Sequence, residues 1–295
     1  MSSKTIAFCW CGIAYAVAIA AAFAVGYAVH DQFHSLVVVA IADAVGTIVI
    51  FVFSRTFNNS SFYDPYWSVA PMVMVAYWST DAGNTARAMV VTALVWAWGG
   101  RLTGNFLAGW PNVRHEDWRY VNLRQQNGRA YWLVSFFGIH FAPTAWVYLG
   151  CLAFFPAFTS ARDFGVADVF ATVFTVGAIA LEAIADDQLR RFRRSNPASG
   201  AIMKSGLWRK SRHPNYLGEI SFWWGLYFFG LTADPSVWWT IAGPLSITLL
   251  FAFISIPMID KRHVARRPEY AEHMRVTSAL VPVGRKTQLQ DPRAK

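Results

Sequence analysis

The sequence IAFCWCGIAYAVAIAAAFAVGYAV, residues 6–29, decides the fold class because it contains no charged side chain. A helix of this length can cross the apolar core of a bilayer, for which about 20 apolar residues suffice. A secretory signal peptide would have a shorter apolar region followed by a small-residue cleavage site. We therefore interpret the segment as the first membrane helix.

The composition of the whole chain supports this interpretation. Of 295 residues, 55% are hydrophobic and 15% are charged, whereas soluble domains carry about 25% charged residues. These figures argue against a soluble enzyme, a disordered chain and a secreted disulfide scaffold. The three cysteines, Cys9, Cys11 and Cys151, have spacings that indicate neither disulfides nor a zinc site. We predict an all-α polytopic transmembrane bundle.

Eight apolar segments are candidates for membrane helices. Two of them, 66–79 and 220–231, are short, so the number of crossings falls to seven if one is re-entrant. We predict a single domain over residues 1–283 and a flexible tail over 284–295. The predicted helices are 6–29, 36–53, 66–79, 86–108, 131–155, 166–185, 220–231 and 236–259.

The net charge of +9 is unevenly distributed. Residues 1–108 are neutral overall, while 109–130, 186–215 and 260–295 contribute +2, +6 and +5. These three stretches follow the fourth, sixth and eighth segments, so eight crossings place them on one face. Basic loops stay in the cytoplasm. We therefore predict an integral membrane protein, in the inner membrane if the source is bacterial, with cytoplasmic basic loops.

The densest polar motif is LWRKSRHPNYLGE, residues 207–219. Residues 209–212 include three cations, and His213 follows them. Arginine binds phosphate oxygens in a bidentate manner, and amides at a helix start strengthen an anion site. Glu219 enters an apolar segment and needs a hydrogen-bond donor there. The alternative is a basic topology signal beside a helix.

A second polar region comprises GRLTGN, residues 100–105, and RHEDWRY, residues 114–120. Ionisable residues inside a membrane are usually paired or functional, although Arg101 could also extend to the interface. Glu116 and Asp117 could pair with the basic loops or hold ribose hydroxyls. These alternatives stay open at this point.

A third region places a carboxylate, Asp64, between two phenols, Tyr63 and Tyr66. A carboxylate can orient a tyrosine that delivers a proton. The alternative is an Asp-Pro helix start within an aromatic interfacial belt.

The stretch 186–194 after the sixth segment either extends a phosphate site or is a basic stop. The glycine-rich Rossmann and P-loop signatures are absent from the sequence. Any nucleotide cofactor would therefore be held by helix ends and loops.

Taken in order, these motifs resemble the membrane steroid 5α-reductase family, in particular its bacterial branch of formerly uncharacterised reductase-like proteins. The resemblance extends from about residue 58 to residue 283. It is carried by YDPYWSVAP (63–71), GRLTGN (100–105), EDWRY (116–120), LWRKSRHPNYLGE (207–219) and RPEYAEHMRVTSALVPV (267–283).

The resemblance implies a helical bundle that binds NADPH at its cytoplasmic side and a hydrophobic enone in a lipid-accessible pocket. It assigns Asp64 to recognition of the substrate carbonyl. Where the animal enzymes place a partner tyrosine, this sequence has Trp96 and Trp98, so Tyr63 or Tyr66 would take that role. The implied cofactor residues are Arg101, Asn105, Arg114, Asp117, Asp186, Arg190, Arg193, Trp208, Arg209, Arg212, His213, Asn215, Tyr216 and Glu219.

We therefore expect an NADPH-dependent reductase of a conjugated C=C bond, with a 3-oxo-Δ4 steroid as the expected substrate. Its partners would be the membrane and a hydrophobic small molecule, with no nucleic acid and no metal. The alternative is a membrane methyltransferase of the isoprenylcysteine or phospholipid type, which uses S-adenosylmethionine and shares an Arg-His-Pro-x-Tyr block. A channel, transporter or sterol-sensing binder has less support, because few ionisable residues lie in mid-membrane and no repeat is visible.

Overall fold

A computed structural model describes residues 2–80, 82, 85–198 and 200–281. The described chain is mostly α-helical, and its only extended pairing is an isolated bridge between Ser211 and Ser278. The predicted all-α polytopic class is confirmed. The predicted tail, 284–295, lies outside the described residues. The helices are α1 (Ser3–Val29), α2 (Ser35–Thr56), α3 (Tyr66–Ser79), α4 (Ala86–Gly109), α5 (Trp118–Asn127), α6 (Tyr131–Val134), α7 (Ala142–Leu152), α8 (Pro156–Thr159), α9 (Val166–Arg194), α10 (Pro214–Ala233), α11 (Ala242–Leu250), α12 (Ile256–Arg266) and α13 (Tyr270–Val276).

Five helical stretches of the described chain are long and apolar enough to cross a membrane, so this is an integral membrane protein. They are Ser3–Val29, Ser35–Thr56, Trp118–Leu152, Val166–Arg194 and Pro235–Arg266. All eight predicted segments contain helix, but α3 has only 14 residues. The face on which the basic loops lie stays a prediction.

The observed helix boundaries differ from the predicted ones where a helix extends beyond its apolar residues. The sixth helix was predicted to end at residue 185, yet α9 continues to Arg194. Its last turns are polar, and Arg191 pairs with Asp187 at 2.7 Å one turn away, which supports a helix in water. Likewise α10 begins at Pro214, where a proline suits the first helical turn. Hydropathy marks the membrane-embedded part of a helix and not its ends.

The predicted helix 131–155 is also not regular. A π-helical stretch, Ser135–Phe141, separates α6 from α7, which carries a proline near its start. Such wide turns and prolines interrupt the regular hydrogen-bond ladder and bend helices. A second π-helical stretch, Phe251–Ser255, joins α11 to α12 in the same way, again just before a proline.

The chain divides into two compact units. The first comprises Met1–Gly165 and Phe229–Gly243. Within it α1 packs on α2 and α3 packs on α4. Gly99 allows the second contact, because a Cβ there would lie 2.8 Å from the carbonyl oxygen of Ser68. Close backbone approach at small residues is the usual basis of helix packing in membranes.

The second unit comprises Val166–Phe228 and Pro244–Lys295. Its α9 approaches the first part of α10 at two glycines seven residues apart. A Cβ on Gly218 would lie 2.6 Å from the Cβ of Glu182, and one on Gly225 would overlap the hydroxyl of Thr175. The two helices are therefore in close backbone contact at the end that carries the polar motif.

Candidate functional site

Asp64 lies in the short connection between α2 and α3. Asn58 ends α2 in the left-handed region (φ 52°), which asparagine tolerates better than most residues. A 3₁₀ turn, Ser60–Tyr63, follows, and Pro65 precedes α3. These features fix the Asp64 carboxyl at the start of α3, with 17% of its side chain exposed.

The phenol of Tyr120, on α5, is the hydrogen-bond partner of Asp64. Its hydroxyl donates to Asp64 Oδ1 at 2.5 Å, and the side chain of Tyr120 is buried. Arg119 Nη2 lies 3.5 Å from the same oxygen, while its Nε donates to Asp117 Oδ1 at 2.7 Å. The first unit thus holds a carboxyl–phenol pair beside a guanidinium group.

The surroundings of Asp64 tune its acidity. Burial raises the pKa of its carboxyl to about 6, the Arg119 cation opposes this rise, and the Asp117 charge adds to it. Hydrogen bonds from Tyr120 and Ser61 also lower the pKa. A carboxyl group with this pKa exchanges its proton close to neutral pH, as acid–base catalysis requires.

A second cluster holds the Asp64 connection in place. Arg124 donates to Glu116 at 2.9 and 3.1 Å and to the side chain of Asn58 at 2.8 Å. Glu116 Oε1 also accepts from the backbone N–H of Ser60 at 2.8 Å and from the Tyr131 hydroxyl at 3.2 Å. Of the two roles considered for Glu116, the structure shows the salt-bridge role.

The two tyrosines predicted beside Asp64 point to other partners. The Tyr63 hydroxyl forms a hydrogen bond with Thr144 at 2.8 Å, and that of Tyr66 donates to Asp43 at 2.8 Å. Their rings stack at 5.1 Å. Burial raises the pKa of Tyr63 well above its ordinary value. Neither phenol has the direct bond to Asp64 that Tyr120 has, so the structure makes Tyr120 the stronger candidate for the partner role.

The four cofactor residues predicted in the first unit lie in different surroundings. Arg101 and Asn105 are half-buried one turn apart on α4, so they share a helix face. Asp117 caps α5 by accepting the backbone N–H of Arg119. Arg114 is exposed in the loop before α5.

In the second unit, Arg212 and His213 are both buried and bound to Asp260 on α12. Arg212 Nη2 donates to Asp260 Oδ2 at 2.7 Å, and His213 Nε2 lies 3.0 Å from Oδ1. The hydroxyl of Tyr270 donates to Oδ1 at 3.2 Å, and Arg212 Nη1 reaches the carbonyl oxygen of Thr277 at 2.7 Å. Burial, with the nearby Asp260 charge, raises the pKa of Tyr270. This set, which we call the Asp260 cluster (Arg212, His213, Asp260 and Tyr270), fixes the loop before α10.

The first turns of α10 carry the next three predicted cofactor residues. Tyr216 is half-buried, and its ring stacks on that of His213 at 5.4 Å. Glu219 is buried and accepts from the Trp223 indole at 2.9 Å. Asn215 is half-buried at the helix start. A phenol, a carboxyl and a carboxamide are therefore grouped at the start of α10.

The last five predicted cofactor residues lie near the end of α9 and in the 3₁₀ turn Gly206–Arg209. The Trp208 indole donates to the carbonyl oxygen of Ala185 at 3.0 Å and so fastens this turn to α9. Arg190, Arg193 and Arg209 are exposed and Asp186 is half-buried. The exposed arginines have the chemistry that phosphate groups require.

Two site residues were not identified from the sequence. Tyr120 lies within the EDWRY motif without an assigned role, and Asp260 belongs to none of the motifs. Each acts through a contact with a residue 47 to 56 positions away. No local pattern carries that information.

The fold and these clusters define a polytopic helical membrane protein with a carboxyl–phenol pair in one unit and a polar, cation-rich helix end in the other. The chain belongs to the family described as a protein of unknown function, DUF1295, which matches residues 50–277. It is also similar to an uncharacterized protein of Schizosaccharomyces pombe, with 28% identity over 240 residues, 72% of this chain and 70% of that protein. No solved structure matches the chain at a significant level.

Proposed function

We propose that the protein is an NADPH-dependent reductase of a conjugated C=C bond in a hydrophobic enone, such as a 3-oxo-Δ4 steroid. The observation that carries the proposal is the 2.5 Å hydrogen bond between Tyr120 and Asp64. It supplies the phenol that the resemblance to steroid 5α-reductases requires as partner of the acid. The sequence blocks that carry the resemblance support the same reaction class.

When bound, NADPH supplies a hydride for the β-carbon of the enone and is converted to NADP⁺. Tyr120 would donate a hydrogen bond to the ketone oxygen, where negative charge develops as the enolate forms. Protonation of Asp64 reverses its hydrogen bond with Tyr120, which releases the phenol hydrogen for the ketone. Water would then protonate the α-carbon, completing the addition of H⁻ and H⁺.

The predicted cofactor residues carry functional groups that are suited to binding NADPH. Arg190, Arg193 and Arg209 are exposed cations suited to the 2′-phosphate and diphosphate groups. Glu219 and Asn215 offer a carboxyl and a carboxamide for the carboxamide or ribose end. Arg212 would act indirectly, by fixing the loop before α10.

The test uses purified protein in detergent with NADPH and a panel of enones that includes a 3-oxo-Δ4 steroid. We expect loss of the absorbance of reduced nicotinamide and a product heavier by two hydrogens. Tyr120→Phe should lower kcat by about 10²–10³, the usual effect of removing one donor to a developing oxyanion.

Tyr148→Phe is the matched control, because its hydroxyl also forms one hydrogen bond, to the backbone of Leu36, away from Asp64. It should keep the wild-type rate. If no enone of the panel is reduced by the wild type, the proposed reaction is wrong. Equal rates for the two phenylalanine variants would remove Tyr120 from the mechanism.

A second candidate, a methyltransferase that uses S-adenosylmethionine, is favoured by one observation. Burial of Arg212 and His213 against Asp260 takes two residues away from the predicted phosphate site. S-adenosylmethionine carries no phosphate and needs fewer cations. Thermal unfolding with each cofactor separates the two candidates, and stabilisation by S-adenosylmethionine alone would reverse our ranking.

A further inference from the structure

A cavity of about 400 Å³ lies among α1, α2 and α3. Its size is within the range of small-molecule sites, about 300–1,000 Å³. Its lining on α1 extends from Tyr15 to Tyr27, a distance of about 18 Å at the helical rise of 1.5 Å per residue. The wall is mainly apolar, with side chains such as Ala18, Ile19, Val38, Val39, Val69 and Met74.

The polar residues Asp43 and Tyr66 lie in the lining of this cavity. Asp43 is only 6% exposed in the middle of α2, and Tyr66 donates to its Oδ1 and to its backbone oxygen, both at 2.8 Å. The second carboxyl oxygen, Oδ2, has no hydrogen-bond partner among the residues that the structure describes. Buried polar atoms are almost always partnered, so this oxygen needs a hydrogen-bond partner that the described residues do not supply.

The approach of Tyr66 to Asp43 depends on Gly46. A Cβ at this position would lie 2.7 Å from the Tyr66 hydroxyl oxygen, and any larger side chain would displace the phenol. The glycine therefore keeps the pair in place on the cavity wall. The pair depends on three positions on two helices, namely Asp43 and Gly46 on α2 and Tyr66 on α3.

We propose that this cavity binds a membrane-soluble alcohol, with its hydroxyl group on Asp43 and its hydrocarbon part along α1 toward Tyr27. A hydroxyl can donate to a carboxylate oxygen or accept from a carboxylic acid, so it satisfies Oδ2 in either form. A charged amine would have to leave water for an apolar cavity, which is costly. The long, mainly apolar wall matches a single hydrocarbon skeleton.

The proposed site is independent of the proposed reduction. Neither Asp64 nor Tyr120 lines the cavity. The DUF1295 match begins at residue 50, so α1 and most of α2 lie outside it. Asp43 and the cavity wall on α1 therefore lie outside the family match, whereas the wall on α3 lies within it.

The test uses the full chain in lipid nanodiscs with two photoreactive probes, a diazirine-bearing hexadecanol and the corresponding hexadecane. We expect the alcohol to label peptides of α1–α3 about ten times more efficiently than the alkane. One net hydrogen bond, about 1.4 kcal/mol, corresponds to such a ratio. Excess unlabelled hexadecanol should suppress the labelling.

Asp43→Leu should reduce alcohol labelling about tenfold, to the alkane level, whereas Asp187→Leu at an exposed position should leave it unchanged. Gly26→Leu keeps Asp43 and fills the cavity, since a Cβ there has only ordinary contact with Val38 at 3.7 Å. It should abolish labelling by both probes, and it serves as the test if Asp43→Leu does not fold. Equal labelling by alcohol and alkane in the wild type, or full alcohol labelling of Asp43→Leu, would overturn the proposal.

Discussion

The Asp260 cluster allows the effect of burial on an ion pair to be measured within one chain. Arg212 and Asp260 lie 2.7 Å apart with side chains 7% and 5% exposed, whereas Arg191 and Asp187 have the same separation with 79% and 42% exposed. The two pairs share their chemistry and their distance. Asp260→Asn and Asp187→Asn therefore form a pair of perturbations that differ in burial and in the further hydrogen bonds that His213 and Tyr270 make with Asp260.

The expected magnitudes follow from these surroundings. Asp260→Asn leaves the guanidinium of Arg212 buried without a counter-charge, and breaking such a pair costs about 3–5 kcal/mol. An exposed pair one helical turn apart contributes only about 0.3–0.5 kcal/mol. The unfolding temperature should therefore fall by on the order of 10 °C for Asp260→Asn and by about 1–2 °C for Asp187→Asn.

The assay is thermal unfolding in one detergent, followed by the fluorescence of the 14 tryptophans. Hydrogen exchange adds a local measurement, because the backbone N–H groups of Arg212 and His213 donate to Ser278 and Ala279. These two amides should exchange faster in Asp260→Asn alone. Arg212→Met combined with Asp260→Met should recover the part of the loss that comes from the unpaired charge. Equal shifts for the two asparagine variants would refute the reasoning.

Two further predictions concern the first unit. Because the pKa of Asp64 is raised to about 6, its contribution to stability is fully present below about pH 3.9 and is lost as the pH rises through 6. The unfolding temperature of the wild type relative to that of Asp64→Asn should therefore fall as the pH rises through this range. A difference that stays constant with pH would contradict the assignment. Gly230→Ala places a Cβ against the carbonyl oxygen of Ala153 and should destabilise by about 1–3 kcal/mol, whereas Gly100→Ala enters open space and should be neutral or stabilising in the same unfolding assay.

Much of the fold could be predicted from local sequence. The bounds of α3, Tyr66–Ser79, agree with those predicted, because Asp64-Pro65 marks its start and polar residues follow its end. The end of α9 was wrong by nine residues, since its last turns are helical but not apolar. Hydropathy measures partition into lipid, which is a different property from helix formation.

The site was predicted as a set of residue types and not as a set of contacts. The sequence placed Asp64 among phenols, but its partner proved to be Tyr120, 56 positions away. It likewise grouped Arg212 and His213 with a phosphate site, although in the structure their side chains bind Asp260. Positive charge beside a helix fits both a ligand site and an internal ion pair. Only tertiary contacts separate the two.

The Asp260 cluster also has a consequence for the order of biosynthesis. Arg212 and His213 leave the ribosome well before Asp260, Thr277 and Ser278, the residues that satisfy their side chains and amides. During that interval the loop before α10 carries a cation without its eventual partners. Membrane insertion of α9 can therefore precede, but cannot complete, the folding of this loop. The loop can complete its hydrogen bonds only after residues 260–279 have been synthesised.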